Sequence, residues 1–376
     1  MAFSDLFGLD APVQALRRAL QCDALAGAYL LVGPHGVGKT ALARAFARAA
    51  ACPRPVASPF EACGACESCR RAEAGEHPEI VLVPPAGEQT QIWQFWDRDG
   101  KPAGVLQRSL PFAPSIGRRR VYIVERADTL TEPAANSLLK VLEEPPAYVV
   151  FVLLAPQAAQ LLGTIVSRCQ VVRLTSSPVD LLARWLREAR AMPRADAAVC
   201  AAYAEGRTGT ALRLATDPRA AAEFEEIAAF AESLPGALPL SAPRTAERIR
   251  RLAGSVKALG ADDPGHPSDN GGRDTSMATD EAPAARERVG RRQLAVVIEL
   301  LALFYRDLLA LRLDPLSARL VCDDRRGRLA GLAAAGSPER WTGCLQALMA
   351  ARRRLDMNAS VALLTDWLAV RLLVDA

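Results

Sequence analysis

The sequence lacks a strong charge of either sign. Its 46 basic and 42 acidic residues leave a net charge of +4 over 376 residues, with a pI near 8.6. So even a balance does not by itself argue for nucleic acid as a direct ligand. Long apolar runs are also missing. The longest, from Leu294 to Leu311, is interrupted by Glu299, Arg306 and Asp307, so it reads as a buried helix and not a membrane span. Met1-Ala2-Phe3-Ser4-Asp5 has no basic-then-apolar layout, which argues against a signal peptide and for a cytoplasmic protein without membrane contact. No internal repeat is found, which excludes a solenoid. Lysine is scarce beside arginine and alanine, a matter of composition and not of function. The length predicts two or three domains.

One motif carries chemistry plainly. Residues 33–40, Gly-Pro-His-Gly-Val-Gly-Lys-Thr, fit G-x-x-x-x-G-K-[ST] at every fixed position. The apolar run Tyr29-Leu30-Leu31-Val32 precedes it and an Ala/Arg/Leu-rich stretch follows, the strand–loop–helix context of a phosphate-binding loop. Gly33, Pro34, Gly36, Val37 and Gly38 form the cradle. There, backbone N–H groups can turn toward phosphate oxygens and the helix N-terminus favours an anion. Lys39 can reach the β- and γ-phosphates and Thr40 can ligate Mg²⁺.

Nine cysteines are many for a cytoplasmic chain, where disulfides are disfavoured. Cys52, Cys63, Cys66 and Cys69 follow the spacing C-x₁₀-C-x₂-C-x₂-C. Two intervening residues let a tight turn aim two sulfurs at one ion, and four thiolates suit tetrahedral Zn²⁺ in a closed, structural site. An iron–sulfur cluster is the alternative, but the ferredoxin run needs another cysteine three residues on, and residues 72–75 hold none. His77 is close in sequence but superfluous to a complete shell. Cys22, Cys200, Cys322 and Cys344 are isolated and read as core residues.

Further strands are expected at Ile80–Val83, Val121–Val124, Val149–Leu154 and Gln170–Leu174, with a capped helix over 131–144. Residues 84–117, with Trp93 and Trp96, do not declare a structure, and Arg118-Arg119-Arg120 reads as a solvated run at a strand mouth. Alternating strands and helices predict a parallel α/β sheet with helices on both faces. Beyond residue 178 the pattern is helical only, except for 260–288, which is Gly/Asp/Pro/Ser-rich and predicted to be disordered.

The loop, the four cysteines, Asn136-Ser137-Leu138-Leu139-Lys140-Val141-Leu142-Glu143-Glu144-Pro145-Pro146 and Thr164-Ile165-Val166-Ser167-Arg168-Cys169 together resemble the AAA+ clamp-loader subunits of bacterial DNA polymerase III. The resemblance spans roughly residues 5–216 and continues weakly into the last helices. It implies an α/β AAA+ P-loop domain over residues 1–176, with a five-stranded parallel sheet and a zinc module inserted at about 52–69. A small helical lid, 177–218, and an all-helical C-terminal domain, 219–376, would follow.

The family's ATPase subunits, gamma and tau, end the third strand in Asp-Glu, one residue for Mg²⁺ and one to activate water. Those positions here are Glu125 and Arg126. A guanidinium cannot accept a proton. The sensor position of the fourth strand, usually Thr, is Ala155, while the second sensor arginine matches Arg213. The resemblance is thus to the delta-prime type, which implies ATP and Mg²⁺ bound but slowly or not hydrolysed. It also implies that Arg168 acts as an arginine finger in a neighbouring subunit's ATP site. The implied partners are gamma/tau and delta in a hetero-oligomeric ring, and primed DNA and the sliding clamp through that complex. Two alternatives are an active ATPase of the gamma/tau type and a zinc-bearing DNA-binding adaptor with a vestigial nucleotide fold.

Overall fold

The computed structural model describes residues 2–57, 60–87, 89–97, 104–192, 194–259, 283–357 and 359–373. The chain divides into two compact units, Met1–Ser177 and Pro178–Ala376.

In the first unit, helix α1 (Asp10–Gln21) leads to strand β1 (Ala28–Val32), helix α2 (Lys39–Ala51), a two-residue hairpin of β2 (Val56–Ala57) and β3 (Phe60–Glu61), and helix α3 (Glu67–Ala74). Strand β4 (Ile80–Val83), helix α4 (Val105–Ser109), strand β5 (Arg120–Val124), helix α5 (Glu132–Glu143), strand β6 (Val149–Ala155), helix α6 (Gly163–Val166) and strand β7 (Gln170–Arg173) complete it. The sheet order is β4-β5-β6-β1-β7, and every pair is parallel.

The inner strands β1, β5 and β6 are buried at every residue because both their faces are covered, while the edge strands β4 and β7 are only partly covered, and alternate residues go to opposite cores. Tyr29, Leu31, Val121, Ile123, Val150 and Val152 pack with α2 through Leu42 and Phe46. Leu30, Tyr122, Val124, Phe151 and Leu153 pack with α5 through Leu138 and Leu142. Aromatic pairs anchor each side: Tyr29 meets Phe46 edge-on at 5.2 Å between centroids, and Tyr122 stacks on Phe151 at 5.2 Å. Helix α5 begins as its sequence requires, with the Thr131 hydroxyl accepting from Ala134 N and Pro133 in the first turn.

One segment without a reading is filled in here and two readings are corrected. Residues 84–117 carry α4 and two deeply buried anchors, Phe95 and Leu106, while Trp96 packs against the α5-side core. The arginine run is solvated only at Arg118, which is exposed. Arg120 is buried and donates to the carbonyls of Ser109 and Phe112, and Arg119 pairs with Asp23 at 2.7 Å. Cys22 is exposed rather than a core residue.

The second unit is helical: α7 (Val179–Arg190), α8 (Arg194–Tyr203), α9 (Thr208–Thr216), α10 (Pro218–Ser233), α11 (Ala242–Ser255), α12 (Pro283–Leu313), α13 (Arg326–Ala334), α14 (Pro338–Asp356) and α15 (Val361–Leu373). Left-handed Glu205 and Gly206 break the helical stretch 195–216 into α8 and α9. Tyr203 of α8 meets Phe224 of α10 at 4.2 Å, so residues on both sides of position 218 share one core. The segment expected to be disordered lies outside the described residues as far as 282, and from Pro283 the chain is in α12. Among the described residues no helix is long and apolar enough to cross a membrane.

Candidate functional site

The glycine loop joins the C-terminal end of β1 to the N-terminus of α2. Gly33 sits between two neighbouring strands: its N–H donates to Ala155 O of β6 at 3.3 Å, and a Cβ on it would lie 2.5 Å from the Leu174 carbonyl oxygen just past β7. Only glycine fits that approach. Gly38 is left-handed, with φ at 109°, and caps α2. Lys39 Nζ donates to the carbonyl oxygens of Gly33 and Pro34, at 2.6 and 2.9 Å, so its ammonium lies over the mouth of the loop. Thr40 is 8 % exposed, one residue into the helix. A loop of backbone donors, a lysine and a hydroxyl at a helix N-terminus is the donor set a nucleotide phosphate requires.

Two neighbouring strands end beside the loop. Ala155 pairs with Val32 and brings only a methyl group to the position beside the loop. Glu125 follows β5, its N–H donating to Val83 O at 3.0 Å. Arg126 then turns out of the sheet at φ 50° and ψ 56°. Arg213 belongs to α9 of the second unit, where its Nη1 donates to Leu259 O at 3.2 Å.

Arg168 lies between α6 and β7. Since Gln170 pairs with Tyr29 and Arg173 with Val32 in a parallel register, Arg168 is at the N-terminal end of the strands. The glycine loop is at the other end, roughly 15 Å or more along the strand direction. Its guanidinium is held by Glu143 Oε2, with Nη2 at 3.0 Å and Nε at 3.3 Å, and by Thr164 O at 3.0 Å. The two distinctive sequence segments, the run ending in Glu143-Glu144-Pro145-Pro146 and Ser167-Arg168-Cys169, thus meet through one ion pair. No periodicity in the sequence signals that contact.

The four cysteines converge at the far end of α2. Cys52 follows its last turn and Cys66 caps α3, while Gly64 takes the left-handed turn between Cys63 and Cys66, with φ at 75°. The sulfurs all lie within 4.8 Å of one another. The Cys52–Cys66 and Cys63–Cys69 separations are 3.9 Å each. Tetrahedral ligands at a Zn–S distance of about 2.3 Å sit about 3.8 Å apart, so the donor set fits a metal of that size. Burial pushes the Cys52 thiol up to about 12. A hydrogen bond from the Ala65 backbone, opposed by burial, brings the exposed-side Cys63 down to about 6.

His77 is not a fifth ligand. Its Nδ1 accepts from Glu79 N at 3.1 Å and its Nε2 donates to Ser68 Oγ at 2.9 Å, which uses both nitrogens. Nδ1, the nitrogen 3.5 Å from Glu79 Oε2, is the one that accepts from Glu79 N, and burial lowers the pKa of the ring. Glu79 accepts from Ser115 N, Ser115 Oγ and Ile116 N. This buried clamp has no sequence signature.

A family model described as DNA polymerase III, delta subunit, matches residues 8–178. Over 170 residues the chain is 39% identical to DNA polymerase III subunit delta' of Pseudomonas aeruginosa, covering 45% of this chain and 48% of that protein. Over 179 residues it is 34% identical to DNA polymerase III subunit tau of Salmonella typhimurium, covering 47% of this chain and 26% of that protein. The chain thus spans about half or less of the length of these curated relatives. A solved DNA polymerase III gamma subunit-related protein from Thermotoga maritima aligns with 85% of this chain and 97% of its own at 17% identity, with a TM-score of 0.39. The family match is thus confined to the segment 8–178, which holds the glycine loop, the four-cysteine insert and the parallel sheet.

Proposed function

We propose that this chain is a delta-prime-type subunit of a cytoplasmic DNA polymerase III clamp loader. It holds ATP and Mg²⁺ at residues 33–40 and Glu125 without appreciable turnover, and gives Arg168 to a neighbouring subunit's ATP site. Gamma/tau and delta subunits are its partners in a hetero-oligomeric ring, and primed DNA and the sliding clamp are reached through that assembly. Zn²⁺ at Cys52, Cys63, Cys66 and Cys69 is structural, because four protein ligands leave no open position.

The observation that carries this reading is the asymmetry of the nucleotide site. The binding half is complete, with Lys39 and the backbone cradle in position. The half that would position and activate water holds Arg126 and Ala155, one a permanent cation and the other without a polar atom. Arg168 lies at the opposite end of the sheet from its own loop, which supports service to another site. The complete loop is also what favours the second reading, an active gamma/tau-type ATPase.

The two readings separate in one preparation. Purified chain is expected to bind ATP, with Lys39→Ala weakening affinity by about 10-fold or more, as loss of a charge-assisted phosphate contact implies. Turnover should stay near background. Turnover at the 1–10³ s⁻¹ typical of enzymes would overturn the proposal in favour of the ATPase.

A further inference from the structure

A divalent ion on four thiolates leaves two net negative charges on the centre. Cys52, Cys66 and Cys69 are buried, so water can offset little of that charge, and buried charge is costly unless compensated. Backbone dipoles supply part of the compensation: Cys63 N lies 3.5 Å from Cys52 Sγ and Cys69 N lies 3.4 Å from Cys66 Sγ.

A full positive charge comes from α2. Arg48 is 8 % exposed and stands one turn before Cys52, whose N–H donates to the Arg48 carbonyl at 3.1 Å. Arg48 Nη2 is 3.3 Å from Glu73 Oε2 and 3.7 Å from the place a Cβ on Gly64 would occupy. It therefore touches α3 and the turn that carries Cys63. The neighbouring cations of α3 are engaged outside the centre: Arg71 pairs with Glu67 at 2.8 Å, and Arg70 donates to Ala65 O at 3.3 Å.

We propose that Arg48 is a positioning residue of the four-cysteine metal centre, its buried guanidinium offsetting one of the centre's two negative charges beside the Gly64 turn that carries Cys63 and Cys66. This rests on the reading of the four cysteines as a divalent-metal site. The rival account makes Arg48–Glu73 an ordinary ion pair that pins α3 to α2. The Glu73 side chain is 63% exposed, and a pair with so wet a partner contributes little.

The two accounts differ in sign at Glu73. Metal capture turns four thiols into an anionic centre, so removing a nearby anion favours capture and removing a nearby cation opposes it. If the pair were the pin, losing either partner would loosen the module and weaken capture.

The test uses the full chain, prepared metal-free under reductant and titrated with Co²⁺ and with Zn²⁺ against a competing chelator. Arg48→Gln should weaken binding by about 10- to 100-fold, the range for groups that support metal ligands. Arg48→Lys, which keeps the charge, should recover most of that loss. Glu73→Gln should bind as tightly as the parent or tighter. Binding by Arg48→Gln within about twofold of the parent, far inside that range, would overturn the proposal, as would a comparable loss in Glu73→Gln. Should circular dichroism show Arg48→Gln unfolded, Glu73→Gln and Arg48→Lys decide by the same criteria. If the parent takes up no more metal than Cys66→Ser, the metal reading itself fails, and that outcome is distinct from failure of Arg48.

Discussion

Arg126 adopts the left-handed conformation, φ 50° and ψ 56°, which costs a non-glycine residue roughly 1 kcal/mol or more. The turn it makes is tied by Thr129, whose N and Oγ1 donate to Arg126 O at 2.8 and 2.7 Å. The position is thus built, yet it carries a side chain that cannot take a proton from water. Glu79 shows the opposite use of a charged residue. Burial raises its pKa, but three hydrogen bonds from Ser115 and Ile116 outweigh burial and leave it below the usual 4.5. A carboxylate with a lowered folded pKa adds stability above its unfolded pKa and loses it as pH falls through the folded value. Glu79→Gln should therefore cost about 1–3 kcal/mol near neutrality, the range for hydrogen bonds to a charged group. The gap to the parent should close progressively below about pH 4.5. Urea unfolding at a series of pH values checks this, and a gap that is constant or widens on acidification contradicts it.

Helix α2 joins both candidate sites, starting at Lys39 and ending one residue before Cys52. Ten of its residues are buried, so displacement at either end is resisted by the core. Metal-ligand energy is folding energy in small closed sites. Cys66→Ser should abolish stoichiometric metal and destabilise the first unit by on the order of 3 kcal/mol, roughly 6–12 °C for a unit of this size. The second unit, with its own core around Tyr305 and Trp341, should melt unchanged. Calorimetry with metal analysis checks this, and an unshifted first transition would contradict it. The elements that the sequence announced most plainly, β1, β6 and the apolar part of β5, are those whose burial is continuous. Strands covered on both faces must read as apolar runs, and a helix that opens on Thr131 and Pro133 must begin there. The segment between β4 and β5 was opaque because its fixed points, Phe95 and Leu106, are single anchors without a period. Arg120 misled because a buried arginine bonded to carbonyls looks, in sequence, like a solvated one. At the site, the glycine loop and the cysteine spacing were legible as local patterns. The Glu143–Arg168 pair and the Glu79 clamp join residues 25 and 36 positions apart, and no window of sequence contains both ends.

At the scale of the whole molecule, the proposed role depends on a residue facing away from its own loop. Arg168 is held by Glu143, whose side chain is 59% exposed, and an ion pair this wet is worth at most about 1 kcal/mol. In the proposed role a neighbouring subunit's phosphates would draw the guanidinium away at little cost, since arginine pairs with phosphate through charge-assisted, bidentate bonds. Loss of such a group lowers phosphoryl transfer by about 10³–10⁵ at the site it serves. The measurement that bears most directly on this is ATPase and clamp loading by a loader reconstituted with gamma/tau and delta subunits, with this chain either as it is or as Arg168→Ala, each checked for assembly. The proposed role predicts an assembled complex with one site silenced, so that DNA-stimulated ATPase falls in part and clamp loading falls further. Unchanged rates in a normally assembled complex would contradict it and leave Arg168 an ordinary partner of Glu143.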